Sequence, residues 1–149
     1  MNLLHEIGPQ LSGLEQLQVM LETDRRPGIG DTLDIRLVEA GDGCVVFEAV
    51  PDLHLYNPIG SVHGGFAATM LDFACGYAVL SKMVPGKTFS TLELKVSYHR
   101  PMTKDTGPVR AEGRIVSMGR RAAFSEARLL GEDGKLYASA TSSLLVMDA

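Results

Sequence analysis

Apolar residues recur along this chain with two different periods, and the change of period divides it. Between residues 9 and 22, Leu14, Leu17 and Leu21 stand three and four apart, which predicts a short amphipathic helix with Pro9 in its first turn. After the turn-forming Arg26-Pro27-Gly28-Ile29-Gly30, the pattern alternates, with Leu33, Ile35 and Leu37 against Asp34 and Arg36. Val45-Val46-Phe47 follows a Gly41-Asp42-Gly43 turn, and the two runs predict a hairpin. From Phe66 to Leu80 apolar residues lie on every face without a proline, which predicts a helix over 64–80 enclosed on all sides. Pro85-Gly86 ends it. Strands are then predicted over 89–99, 108–117, 121–130 and 135–146, with turns at Gly107-Pro108, Met118-Gly119 and Glu132-Asp133-Gly134. In the first of them Leu92, Leu94, Val96 and Tyr98 alternate against Thr91, Glu93, Lys95 and Ser97.

Helix, two strands, a central buried helix and four strands make an α+β order, with too few helices for a doubly wound sheet. One curved antiparallel sheet wrapped around the 64–80 helix is the economical arrangement. The 149 residues suit one domain, divided here into an N-terminal helix and linker (1–30) and a core (31–147). With 45% hydrophobic and 21% charged residues, neither disorder nor a fibrous repeat is expected. There is no Trp and only five Phe and four Tyr, so the core has to be aliphatic.

The net charge of −4 argues against a nucleic-acid binder, and its distribution is uneven. Residues 1–81 carry three basic and eleven acidic side chains; residues 82–149 carry eleven and seven. The second half therefore either favours a small anionic ligand or simply presents solvated strand faces. Cys44 and Cys75 cannot make a disulfide framework and match no zinc spacing, so a reducing, cytoplasmic setting is expected. The chain opens without a signal-like segment, and the 66–80 run, interrupted by Asp72, is too short for a membrane span.

Candidate chemistry gathers around the central helix. Its entrance reads Asn57-Pro58-Ile59-Gly60-Ser61-Val62-His63-Gly64-Gly65. Two glycines there allow close approach to the backbone, and unpaired N–H groups at the positive end of the helix can polarise a carbonyl or stabilise an oxyanion. Asp72 stands within an otherwise apolar helix, where an ionised carboxylate needs a partner, water or a use. It is either a general base or nucleophile, or it marks a locally wet face or a loop cap. His54, His63, Asp72 and Cys75 share no metal-site spacing, so no metal is expected. Cys75, on an apolar helix, reads as inert core.

Asn57-(five residues)-His63-Gly64-Gly65-(six residues)-Asp72, followed by Ser90-Thr91-Leu92-Glu93-Leu94-Lys95-Val96-Ser97-Tyr98-His99-Arg100-Pro101, resembles the hotdog-fold acyl-CoA thioesterases. The similarity is to the phenylacetate-pathway (PaaI-like) and thioesterase superfamily member 2 types, and it covers residues 30–147. It implies a curved sheet around a central helix and hydrolysis of an acyl-CoA to free acid and CoA. By this resemblance Asp72 is the base or nucleophile, the Gly65 N–H is the donor to the thioester carbonyl, and His63 and Asn57 are the polar pair at the entrance. Thr91 matches a Ser or Thr that helps hold the attacking water, with Ser90 as the alternative because the preceding loop is one residue longer. Gly64 and Ser90 are counted with the substrate-binding residues. So are Arg120 and Arg121, placed at a turn from which guanidinium groups can meet CoA phosphates.

A thioester is already electrophilic, so one carboxylate and one oxyanion donor suffice, and no cofactor is expected beyond the CoA of the substrate. Gly65 and Asp72 are seven residues apart, roughly 10 Å along a helix, too far to act on one carbonyl carbon. Two such helices antiparallel in a homodimer, or a tetramer built from it, would bring them together, as related thioesterases do. The competing functions are a hotdog dehydratase or hydratase, whose loop pattern is missing here, and a non-catalytic acyl-CoA-binding protein.

Overall fold

The computed structural model describes residues 2–149. Three short helices come first: α1 (Leu3–Ile7), α2 (Gly13–Thr23) and α3 (Gly28–Thr32). Strands β1 (Arg36–Gly41) and β2 (Cys44–Ala49) form a hairpin, a 3-10 turn covers Leu53–Leu55, and the central helix α4 spans Gly64–Leu80. Then come β3 (Lys87–Tyr98), β4 (Val109–Met118), β5 (Ala122–Gly131) and β6 (Leu136–Asp148). The six strands pair antiparallel in the order β1-β2-β4-β5-β6-β3, leaving β1 and β3 as the edges.

Helix α4 packs on β2 to β6, and Phe66, Met70, Leu71, Ala74, Cys75 and Val79 are among its buried residues. An all-round apolar helix can be stable only if sheet and loops enclose it. Close approach depends on two absent side chains. A Cβ on Gly113 would stand 2.1 Å from the Ala74 carbonyl oxygen, and one on Gly13 would stand 1.8 Å from that of Leu80. Gly113 therefore lets α4 lie directly on β4, and Gly13 seats the start of α2 against the end of α4.

The long elements match the expected ones within one or two residues at most ends, but three local expectations do not hold. The helix expected over 9–22 begins only at Gly13. Ser12 caps it, accepting from the Glu15 amide, while the Glu15 carboxylate accepts from the Ser12 amide. That capping box fixes the start of the helix, and Pro9 stays outside it. Before it, α1 is tied on by the buried Gln16, whose Nε2 donates to the carbonyls of Leu4 and Gly8.

The strand expected from Leu33 starts at Arg36. Asp34 takes a left-handed φ of 48°, and Ile35 donates back to the Gly30 carbonyl, so Leu33 to Ile35 form the exit of α3. Arg26 and Arg36 both pair with the Asp34 carboxylate and hold its pKa below the usual range. The alternation there belongs to a turn.

The third difference lies in β3. Its pairing with β6 runs Ser90 with Leu145, Thr91 with Leu144 and Glu93 with Ser143, so Leu92 is an extra residue in a β-bulge. One extra residue reverses the side-chain phase. Phe89, Leu94 and Val96 pack against the core, whereas Leu92, which the alternation groups with Leu94 and Val96, is 64% exposed. Thr91 takes the inward place opposite the fully buried Leu144.

Candidate active site

The segment before α4 is folded by its own polar groups. Asn57 Oδ1 accepts from the amides of Ile59 (3.0 Å) and Ser61 (3.2 Å), and its Nδ2 donates to Ser61 Oγ (3.0 Å). An Asx side chain closing a turn in this way spends its hydrogen bonds locally. The return is pinned by a Tyr56–Val62 bridge and by the His63 amide donating to the Leu55 carbonyl at 2.7 Å. Asn57 thus shapes the approach to the helix and delivers His63 to its first position.

His63 is the N-cap of α4. Its Nδ1 accepts from the Gly65 amide at 2.8 Å, so one of the orphan donors of the first turn is already engaged. The Gly64 carbonyl accepts from the Tyr98 hydroxyl at 2.8 Å, and a Cβ on Gly64 would meet that ring at 3.0 Å. Beside this entrance opens a cleft of about 360 Å³ whose walls include Ser61, Gly64, Ala67, Tyr98, Met102 and Tyr137.

Two turns further on, Asp72 is half-buried, and its Oδ1 accepts from Thr91 Oγ1 at 3.1 Å. Among the described residues no lysine or arginine pairs with it. Ser90 is exposed on the opposite face of β3, so Thr91 is the hydroxyl that reaches the acid. An unpaired carboxylate beside a hydroxyl is suited to holding and deprotonating a water. Cys75, one turn on, is fully buried. Burial, with the negative charges of Asp72 and Glu126, pushes its thiol up to about 11, so it is not a thiolate at neutral pH. Among the described residues no three His, Cys, Asp or Glu side chains converge as metal ligands.

Phe73 stacks on Phe47 at 5.2 Å between ring centroids, and Tyr77 meets both rings edge-on at 5.1 and 5.6 Å. Phe73 and Tyr77 are therefore committed to packing α4 on β2. Burial alone raises the Tyr77 phenol to about 12.

The basic surplus of the second half is mostly neutralised. Arg110, Arg114 and Arg128 pair with Glu39 and Glu48, Glu126, and Glu112 on the face of the sheet away from α4, and Lys82, Lys87, Lys104 and Lys135 have carboxylate partners of their own. Arg120 and Arg121 are exposed between β4 and β5 and have no carboxylate partner among the described residues. A larger concavity of about 670 Å³ lies over the ion-paired face, and no residue of α4 lines it. No helix among the described residues is long and apolar enough to cross a membrane.

Residues missed from the sequence are Tyr98, which braces the entrance, and Ser142, whose Oγ donates to the Glu93 carbonyl at the β3 bulge at 2.8 Å. The only signal for Ser142 was a hydroxyl among the inward residues Ala138, Ala140, Leu144 and Val146 of β6.

A six-stranded antiparallel sheet around one long buried helix, with a carboxylate on that helix and a glycine pair at its start, is a hotdog fold. Residues 59–138 match the family model of the thioesterase superfamily, and the chain belongs to that superfamily of hydrolases. A Pseudomonas aeruginosa protein assigned as an esterase is 29% identical over 126 residues, 85% of this chain and 83% of its own length. A phenylacetic acid degradation-related protein of Ralstonia eutropha has a TM-score of 0.77 at 29% identity, covering 87% of this chain and 98% of that one. The PaaI protein of the E. coli phenylacetic acid degradation operon shares the fold, with a TM-score of 0.80 at 17% identity over 99% of this chain and 98% of its own.

Proposed function

We propose that this protein hydrolyses an acyl-CoA to free acid and CoA, acting as a homodimer or as a tetramer built from it, in a reducing cytoplasmic setting. The observation that carries the reading is the Thr91–Asp72 hydrogen bond, which places a hydroxyl beside a half-buried carboxylate on the helix of a thioesterase-superfamily hotdog.

In this reading Thr91 holds a water against Asp72. Asp72 takes its proton as the new C–O bond forms, and the carbonyl π electrons move onto oxygen. The Gly65 amide of the other subunit receives that oxygen in place of the His63 ring. Collapse breaks the C–S bond, and the departing thiolate takes up a proton. Alternatively the Asp72 carboxylate attacks first, and water opens the resulting anhydride. Single turnover in ¹⁸O water separates the two, since only the second leaves label in Asp72. The 12-residue edge strand β3, whose outer side is unpaired, supports a partner that covers it. Arg120 and Arg121, two of the exposed cations without a carboxylate partner among the described residues, meet the CoA phosphates, and no cofactor takes part.

The test is release of free CoA thiol from aromatic, short, medium and long acyl-CoAs, with absorbance of enoyl product followed in parallel. Thiol release upholds the reading. Enoyl interconversion without thiol would make the protein a hydratase, and binding without turnover an acyl-CoA-binding protein.

A further inference from the structure

Thr91 reaches Asp72 only because the strand carrying it is out of phase with its own sequence. The alternation Leu92, Leu94, Val96, Tyr98 would run unbroken if the extra residue of the bulge were Thr91 instead of Leu92. Leu92 would then stand opposite Leu144, facing α4, and the threonine would leave the acid. Burial of the leucine side chain favours that slip. A specific contact has to oppose it.

The opposing contact is Ser142. It is 3% exposed, and its Oγ donates to the carbonyl of Glu93, the residue at which regular pairing resumes after the bulge. In a regular ladder carbonyls lie in the plane of the sheet and side chains stand perpendicular to it, so an inward serine does not reach a neighbouring strand's carbonyl. The contact therefore marks backbone turned out of that plane, as a bulge turns it. Moving the extra residue along β3 returns the carbonyl to the ladder and leaves the buried hydroxyl without its acceptor, which is costly.

We propose that Ser142 is a positioning residue: its hydrogen bond to the bulged backbone of β3 holds the extra residue at Leu92, and so keeps Thr91 rather than Leu92 against Asp72. The proposal rests on the thioesterase reading for its kinetic consequence but not for its structural one.

The experiment compares wild type, Ser142→Ala, Thr91→Ala and the double variant on the best acyl-CoA of the panel, together with a crystal structure of Ser142→Ala. Ser142→Ala should lower kcat about tenfold with KM within about twofold, since misplacing a group near the reacting atoms costs up to roughly a hundredfold. The double variant should be no slower than Thr91→Ala alone, because both changes remove the same hydroxyl from Asp72. The crystal structure should show Leu92 turned inward. Unchanged kcat, a loss confined to KM, or losses that multiply in the double variant would overturn the proposal. If wild type hydrolyses no acyl-CoA, the thioesterase reading fails, and the crystal structure decides this proposal alone. Leu92 opposite Leu144 then upholds it, and Thr91 still bonded to Asp72 overturns it.

Discussion

The Gly65 amide donates to the ring of His63 at 2.8 Å, so the group assigned to the thioester carbonyl is held, without substrate, by its own helix cap. Under the proposed function, substrate oxygen and imidazole compete for that one N–H. His63→Ala removes the cap and should cost about 1 kcal/mol of stability, as loss of a capping acceptor usually does. His63→Asn, which can cap in its place, should recover most of it. Urea unfolding midpoints check both.

Asp72→Ala should lower kcat about a thousandfold, as expected for loss of a general base or nucleophile. Asp72→Asn should be nearly as slow, because the amide can still accept from Thr91 but cannot take a proton. Stability should hold or rise, since a half-buried carboxylate without a cationic partner is removed. Turnover above about a tenth of wild type in either variant would remove Asp72 from the mechanism.

The distance between the two halves of the site makes a prediction about subunits. Gly65 and Asp72 are about 10 Å apart along α4, so in the proposed mechanism one chain does not complete a site. Asp72→Ala and Gly65→Pro proteins, each inactive, should regain roughly a quarter of wild-type activity when unfolded together and refolded. About half the dimers are then mixed, each with one intact site of two. Mixed dimers that stay inactive would assign each site to a single chain.

Alkaline stability should report on α4. Burial raises Cys75 to about 11 and Tyr77 to about 12, so both stay neutral in the fold while the unfolded chain ionises them near their ordinary values of 9.0 and 10.0. Groups raised on folding contribute stability that is complete below the unfolded pKa and is lost as pH rises through the folded one. Unfolding midpoints should be level up to about pH 8.5 and fall between about 9 and 12. Cys75→Ala should flatten the first part of that fall. It should also leave kcat within about twofold, because a buried neutral thiol is no nucleophile.

Much of this architecture is legible in the sequence because it is local. Four strands and two turns follow from alternation and turn residues, α4 from an apolar run without proline, and the entrance and acid from the Asn57, His63-Gly64-Gly65 and Asp72 spacing. The capping box at Ser12 and Glu15 was equally local, and was masked by the leucines that continue the helical period on either side. What tertiary structure alone decided is which face each β3 residue presents. That depends on pairing with β6 some fifty residues later, on the bulge at Leu92, and on a serine whose acceptor lies on another strand. Period-2 reasoning assumes an unbroken ladder, and a single extra residue puts the residues on its two sides in opposite phase. Leu92 therefore turned outward against its own pattern, and Thr91 turned inward to the carboxylate.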